Sequence, residues 1–135
     1  MNYSVDEISG VFRLGETEID PGITISQFRS SIRYGDYDSH KYMYSFWLKE
    51  KLSFENVNYR VCIYFEYDSL KSIQVCDELN EEGRLPQKDM KEQRLVFERM
   101  AKELTGHYRE IFPWGKIRIK TIGGEFVVLE IEYKP

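Results

Sequence analysis

A run of strict alternation constrains this chain more than any other feature. From Tyr59 to Tyr67 the odd positions are Tyr59, Val61, Ile63, Phe65 and Tyr67, and Arg60, Cys62, Tyr64 and Glu66 fill the even ones. Strand side chains point to alternate faces, so this segment reads as a strand with one apolar face. Ile73 and Val75 carry the odd parity into the next segment. A slip of one residue would send the whole row to the wrong face. Opposed residues in an antiparallel pair have a constant sum of numbers. For odd to face odd that sum is even, and the connection holds an odd number of residues. A three-residue loop, Asp68-Ser69-Leu70, opposes Phe65 to Ile73, Ile63 to Val75 and, on the other face, Cys62 to Cys76. Two reduced cysteines lying near each other are expected, because two cysteines without a C-x-x-C spacing do not make a disulfide scaffold.

The same parity governs the C-terminus. Ile117 and Ile119 must face Val127, Leu129 and Ile131. A two-residue Gly123-Gly124 turn opposes odd to even, whereas a three-residue Gly123-Gly124-Glu125 loop with a glycine bulge restores the match. Ile119 then opposes Leu129, Ile117 opposes Ile131, Arg118 opposes Glu130 and Lys116 opposes Glu132. The Lys116, Arg118, Lys120 row resembles a phosphate-binding stripe, but cross-strand ion pairing accounts for it.

Elsewhere the punctuation is local. Asp20-Pro21-Gly22 is a turn, flanked by strand pieces at Val11–Leu14 and Glu18-Ile19. Thr24 or Ser26 caps a short helix over Gln27–Ile32, with Phe28 and Ile32 on one face. Ser30–Ser39 lacks periodicity and reads as a surface loop. Tyr42 to Leu48 alternates with both faces partly apolar, and Asn56-Val57-Asn58 is a plausible turn. One long amphipathic helix covers about 88–104, with Met90, Phe97, Met100, Ala101 and Leu104 at helical spacing. Lys88–Glu92 and Arg99–Glu103 form i, i+4 pairs on its wet side, and Thr105-Gly106 ends it. These elements make a single α+β domain over 1–135: a mainly antiparallel sheet of about five to six strands, with the long helix on one face and a short N-terminal helix.

Composition sets limits on function. Lys and Arg number 19 against 23 Asp and Glu, a net charge of −4. No basic surplus exists to meet phosphate, so nucleic acid is not an expected partner. The start of the chain lacks the basic and apolar regions of a secretory signal, and no run approaches the roughly 18 apolar residues that span a bilayer. A cytoplasmic protein without membrane association is expected. His40 and His107 have no neighbours at ligand spacing, so neither a metal nor another cofactor is anticipated. No nucleophile elbow or glycine-rich phosphate loop occurs, and with 23 acidic residues a catalytic carboxylate pair has no signature of its own. Catalysis therefore ranks behind binding.

Three features suit recognition. Phe112-Pro113-Trp114-Gly115 is an aromatic turn, either a plug for the end of the core or an exposed binding element. Tyr34, Tyr37, Tyr42 and Tyr44 with Asp36 and Asp38 form a Tyr/Asp-rich stretch, where tyrosine offers contact area at small entropic cost. Asp77-Glu78, Glu81 and Glu82 form an acidic connection that, with Asp36 and Asp38, steers a basic partner. The first functional reading is a small soluble non-catalytic protein-binding module of the inhibitor or immunity type, with an acidic Tyr-rich face for another, basic protein. The general plan is similar to that of small acidic α+β bacterial proteins that neutralise toxins. The alternative is a small-ligand-binding protein or enzyme, with a pocket between helix and sheet near His107, Tyr108 and Trp114 and with Tyr64 as a neighbour. Homodimerisation through a strand edge is compatible with either.

Overall fold

The computed structural model describes residues 2–77, 90–106, 109–123 and 126–135. Three short strands, β1 (Tyr3–Val5), β2 (Phe12–Leu14) and β3 (Thr17–Ile19), form a small antiparallel sheet in that order. The Asp20 turn follows: Ile23 N–H donates to the Asp20 carbonyl at 3.0 Å and Gly22 N–H to the Asp20 carboxylate at 2.8 Å. Helix α1 (Ile25–Ser31) begins at Thr24, whose hydroxyl accepts from Gln27 N–H while the Gln27 side chain accepts from Thr24 N–H. This reciprocal capping box places the helix two residues earlier than its apolar spacing suggests.

The large sheet comprises β4 (Tyr34–His40), β5 (Met43–Leu48), β6 (Leu52–Phe54), β7 (Val57–Glu66), β8 (Ser69–Asp77), β9 (Ile111–Phe112), β10 (Gly115–Ile122) and β11 (Phe126–Tyr133). Its order is β4-β5-β7-β8-β11-β10-β9, with β6 continuing along β7 beyond β5. All described pairings are antiparallel. Helix α2 (Met90–Thr105) stands in sequence between β8 and β9 and packs against β10, β11 and β1.

Register carries one apolar row across six strands. Tyr37 opposes Phe46, Phe46 opposes Ile63, Ile63 opposes Ile73, Ile73 opposes Ile131, and Ile131 opposes Ile117. From Phe46 to Ile117 these side chains are buried, and Phe97, Met100 and Leu104 of α2 and Phe28 of α1 belong to the same core. The odd-facing-odd requirement is therefore met, and the C-terminal hairpin adopts the anticipated pairs, Ile119 with Leu129 and Ile117 with Ile131.

The β7–β8 connection meets the parity differently from expectation. Glu66 opposes Ser69, leaving a two-residue Tyr67-Asp68 turn, and a bulge that leaves Lys71 unpaired corrects the count. Cys62 consequently faces Gln74, and Cys76 faces Arg60. The cysteines are not directly opposed; both are buried and neither forms a disulfide. The turn before β7 falls at Glu55-Asn56, where both residues have positive φ (51° and 65°), so Val57 is already in the strand.

Ser30–Ser39 is not a loop throughout: Tyr34–His40 is a strand with a register shift near its start. An edge strand exposed along most of its length has no reason to alternate apolar and polar residues, so period carries no signal there. Strands β1, β6 and β9 do bury residues, but at two or three residues each they are too short for a period to register, and they raise the number described to eleven from the five or six expected. In α2, Arg99 binds Glu55 bidentately at 2.7 and 2.9 Å and Glu103 accepts from the Tyr3 hydroxyl at 2.7 Å. Both side chains thus reach other elements and not each other. Residues 88 and 89, and with them the Lys88–Glu92 pair, lie outside the described residues.

Candidate functional site

Strand β4 ends the large sheet, and among the described residues no strand lies along its outer edge. His40 opposes Met43 across a two-residue turn, in which Lys41 takes φ +57°. The closing pair of such a hairpin exchanges both backbone hydrogen bonds, and alternation then turns the N–H and C=O of Ser39 and Tyr37 outward. The Ser39 N–H is met by the carboxylate of Asp38 at 2.9 Å. An open edge is thus blunted by a side chain from the same strand.

The residues of this edge divide by face. Tyr37 lies on the core side, 40% exposed, with its ring 4.9 Å from Phe46 and the Arg29 guanidinium 4.7 Å from its centroid. Tyr34 packs edge-on to Phe46 at 5.0 Å and is half-buried. Asp36 and Asp38 lie on the opposite face and are exposed. Asp36 is 3.7 Å from Arg60, whose guanidinium covers Trp47 at 4.2 Å.

At the hairpin end, the Tyr42 and Tyr67 rings stack at 4.7 Å and within 7° of parallel, tied by a hydrogen bond from Tyr67 N–H to the Tyr42 carbonyl at 2.7 Å. Both rings are exposed, at 45% and 65%. Tyr67 reads as the last member of an apolar row, yet the two-residue turn places it outside the core and beside Tyr42. The β7–β8 turn itself was the missing signal. Tyr34, Asp36, Tyr37, Asp38 and Tyr42 thus share one edge, extended by Tyr67.

Trp114 lies elsewhere. It is 9% exposed, stacked on Phe112 at 5.0 Å and close to Tyr133 at 5.2 Å, and its indole N–H donates to the Glu7 carbonyl at 3.0 Å. Gly10, at φ +78°, lets the chain pass over the ring, since a Cβ there would sit 2.6 Å from it. The aromatic turn thus packs Trp114 into the end of the core. Tyr64 opposes Ser72 on the face away from α2, so it is not in a helix–sheet pocket. Glu81, Glu82, His107 and Tyr108 lie outside the described residues, while Asp77 is buried and accepts a hydrogen bond from Gln93 at 3.4 Å.

A cleft does exist between α2 and β10, with a volume of about 430 Å³. Ile117, Ile119 and Leu129 form its floor and Ala101 one wall. Its rim carries Arg94, Lys102 and Arg109 together with Glu98 and Glu110. Two members of the basic row on β10 are ion-paired: Arg118 lies 3.0 Å from Glu130 and 2.9 Å from Glu132, and Lys120 is 3.8 Å from Glu130. Lys116 stands opposite Glu132 in register, but it is Arg118 that reaches that carboxylate. Burial pushes the Glu130 carboxyl up, but hydrogen bonds from Gln74 and Arg118 and the Lys120 charge outweigh it and hold it below the ordinary glutamate range.

Among the described residues no cluster of His, Cys, Asp and Glu is placed to hold a metal ion, and no helix is long and apolar enough to cross a membrane. No protein-family model, curated protein or solved structure matches this chain.

Proposed function

We propose that this protein is a non-catalytic binding module that takes another protein by strand addition along β4. The observation that carries this reading is a seven-residue edge strand, exposed from Gly35 to His40, with outward backbone groups at Tyr37 and Ser39. Backbone pairing along such an edge supplies affinity, and the side chains at alternate positions supply specificity. Asp36 and Asp38 on one face favour a partner segment bearing Lys or Arg at alternate positions. Tyr37, on the other face, offers a rigid aromatic surface for an apolar residue.

Asp38 couples the two kinds of recognition. Its carboxylate occupies the Ser39 N–H in the free protein. A basic side chain arriving with the partner draws the carboxylate away and leaves that N–H for the added strand. Charge thus opens the edge only to a strand that brings it.

The test is affinity capture with the tagged protein at low and moderate salt, in three forms. Wild type captures a stoichiometric basic partner whose binding weakens with salt. Asp38→Lys loses it. Ser39→Pro also loses it, because proline removes the outward donor while leaving the ladder to β5 intact. Retention of the partner by both variants at wild-type levels excludes β4 as the binding edge.

A further inference from the structure

We propose that the cleft between α2 and β10 is a separate site for a single aliphatic monocarboxylate, its tail on the Ile117–Ile119–Leu129 floor and its head at the cationic rim. The volume, about 430 Å³, is within the range of pockets that enclose small molecules, which begins at roughly 300 Å³. The floor comes from the inner apolar row of β10 and β11, where Ile119 opposes Leu129. Ala101 stands on the helix wall with only a methyl group, so the space over this floor is left open by a small residue.

Charge selects the head group. Arg94, Lys102 and Arg109 contribute three positive charges at the rim, and Glu98 and Glu110 two negative ones. Arg118 also borders the cleft, but its guanidinium is engaged by Glu130 and Glu132 on the other face of the sheet. The surplus of one positive charge matches a monoanion, and a dianionic phosphate would meet the two glutamates. Arg94 donates one of its N–H groups to the Thr121 hydroxyl at 2.9 Å, and the Arg109 Nε–H donates to the Ile111 carbonyl at 2.7 Å. Both guanidiniums are thereby anchored to the sheet side with further donors to offer, since each carries five. A planar carboxylate suits such a fork. The site owes nothing to the β4 edge, so either can fail without the other.

The experiment is an amide chemical-shift titration of the protein with sodium octanoate, and in parallel with octylamine, octanol and octyl phosphate. Octanoate is expected to give saturable shifts at Ala101, Lys102, Ile117 and Ile119, at lower concentration than the other three. Lys102→Gln, a change on an exposed position, is expected to weaken octanoate by about fivefold to tenfold. Ala101→Leu, which fills the cleft with a good helix former, is expected to abolish the shifts. Equal binding of octylamine, tighter binding of octyl phosphate, or an unchanged affinity in Lys102→Gln each overturns the proposal. Co-flotation of wild type with phosphatidylglycerol vesicles, lost in Lys102→Gln, would reassign the rim to a membrane surface and overturn it as well.

Discussion

Glu130 shows how a residue that the sequence marks only as charged acquires its role from its neighbours. It is 4% exposed, on the face of β11 opposite the core row, and accepts from Gln74 at 2.9 Å and Arg118 at 3.0 Å. Its pKa in the fold lies below the ordinary 4.5. The unfolded chain therefore binds its proton first as pH falls, and the stabilisation is complete above about 4.5 and lost through the lower folded value. Urea midpoints measured from neutral pH downward should decline in that window, and Glu130→Gln should flatten the decline. Two further residues have purely steric or packing roles. At Gly115 an added Cβ would overlap the carbonyl oxygen of Glu132 on the neighbouring strand, so Gly115→Ala should lower the melting temperature. Trp114→Ala removes a ring packed against Phe112, Tyr133 and Gly10 and should cost about 3–5 kcal/mol in denaturant titrations. Of the ten candidate binding residues, divided between an acidic Tyr-rich face and a helix–sheet pocket, the five from Tyr34 to Tyr42 were legible as a Tyr/Asp-rich stretch, but their sharing of one edge was not. Trp114 was legible as an aromatic turn, with a plug for the core ranked ahead of an exposed element; its burial against Phe112 and Tyr133 fits the plug.

Among the elements, the long ones with a buried face were readable from their period, and the exposed edge strand β4 was not. Strands β7, β8, β10 and β11 and helix α2 bury a continuous face, so their apolar residues recur at the spacing of the backbone that carries them. Strand β4 buries little, and its assignment comes from pairing with β5, which no local pattern records. Its charges also bear on self-association. If two copies pair antiparallel through β4, registers centred on Tyr37 or Asp38 bring aspartate opposite aspartate, at Cβ separations of about 4.5–5.5 Å. Such opposition discourages self-pairing of the edge, in the way exposed edges are commonly protected. Joint replacement of Asp36 and Asp38 by Asn should therefore raise self-association in sedimentation velocity at matched concentration. An unchanged distribution would remove charge as the protecting device.

On the scale of the molecule, long-range polar contacts join the N-terminal sheet to the rest. The Tyr133 hydroxyl donates to the Gly10 carbonyl at 2.8 Å, the Trp114 indole to Glu7, and the Tyr3 hydroxyl to Glu103 of α2. Burial and the Glu103 carboxylate both push the Tyr3 phenol above its ordinary range, so this hydrogen bond persists across neutral and moderately alkaline pH. Tyr3→Phe should reduce stability by about 1 kcal/mol and loosen β1 from α2, visible as faster amide exchange in Tyr3–Val5. Local pattern alone was enough for the parity of the apolar rows, the odd-numbered C-terminal connection, the presence of a short helix after the Asp20 turn and the apolar stripe of Phe97, Met100 and Leu104 in α2. Each is a local or pairwise arithmetic of backbone periods, repeated along the chain. Tertiary pairing settled which connection satisfies the parity between β7 and β8, and with it the diagonal placement of Cys62 and Cys76 in place of direct opposition. It also decided the partners of Arg99 and Glu103, the place of β4 at the sheet edge, and the cleft beneath Arg94 and Lys102. Those outcomes depend on which distant surfaces meet, and a polar side chain at a given spacing takes the nearest complementary group in space, whatever its distance in sequence.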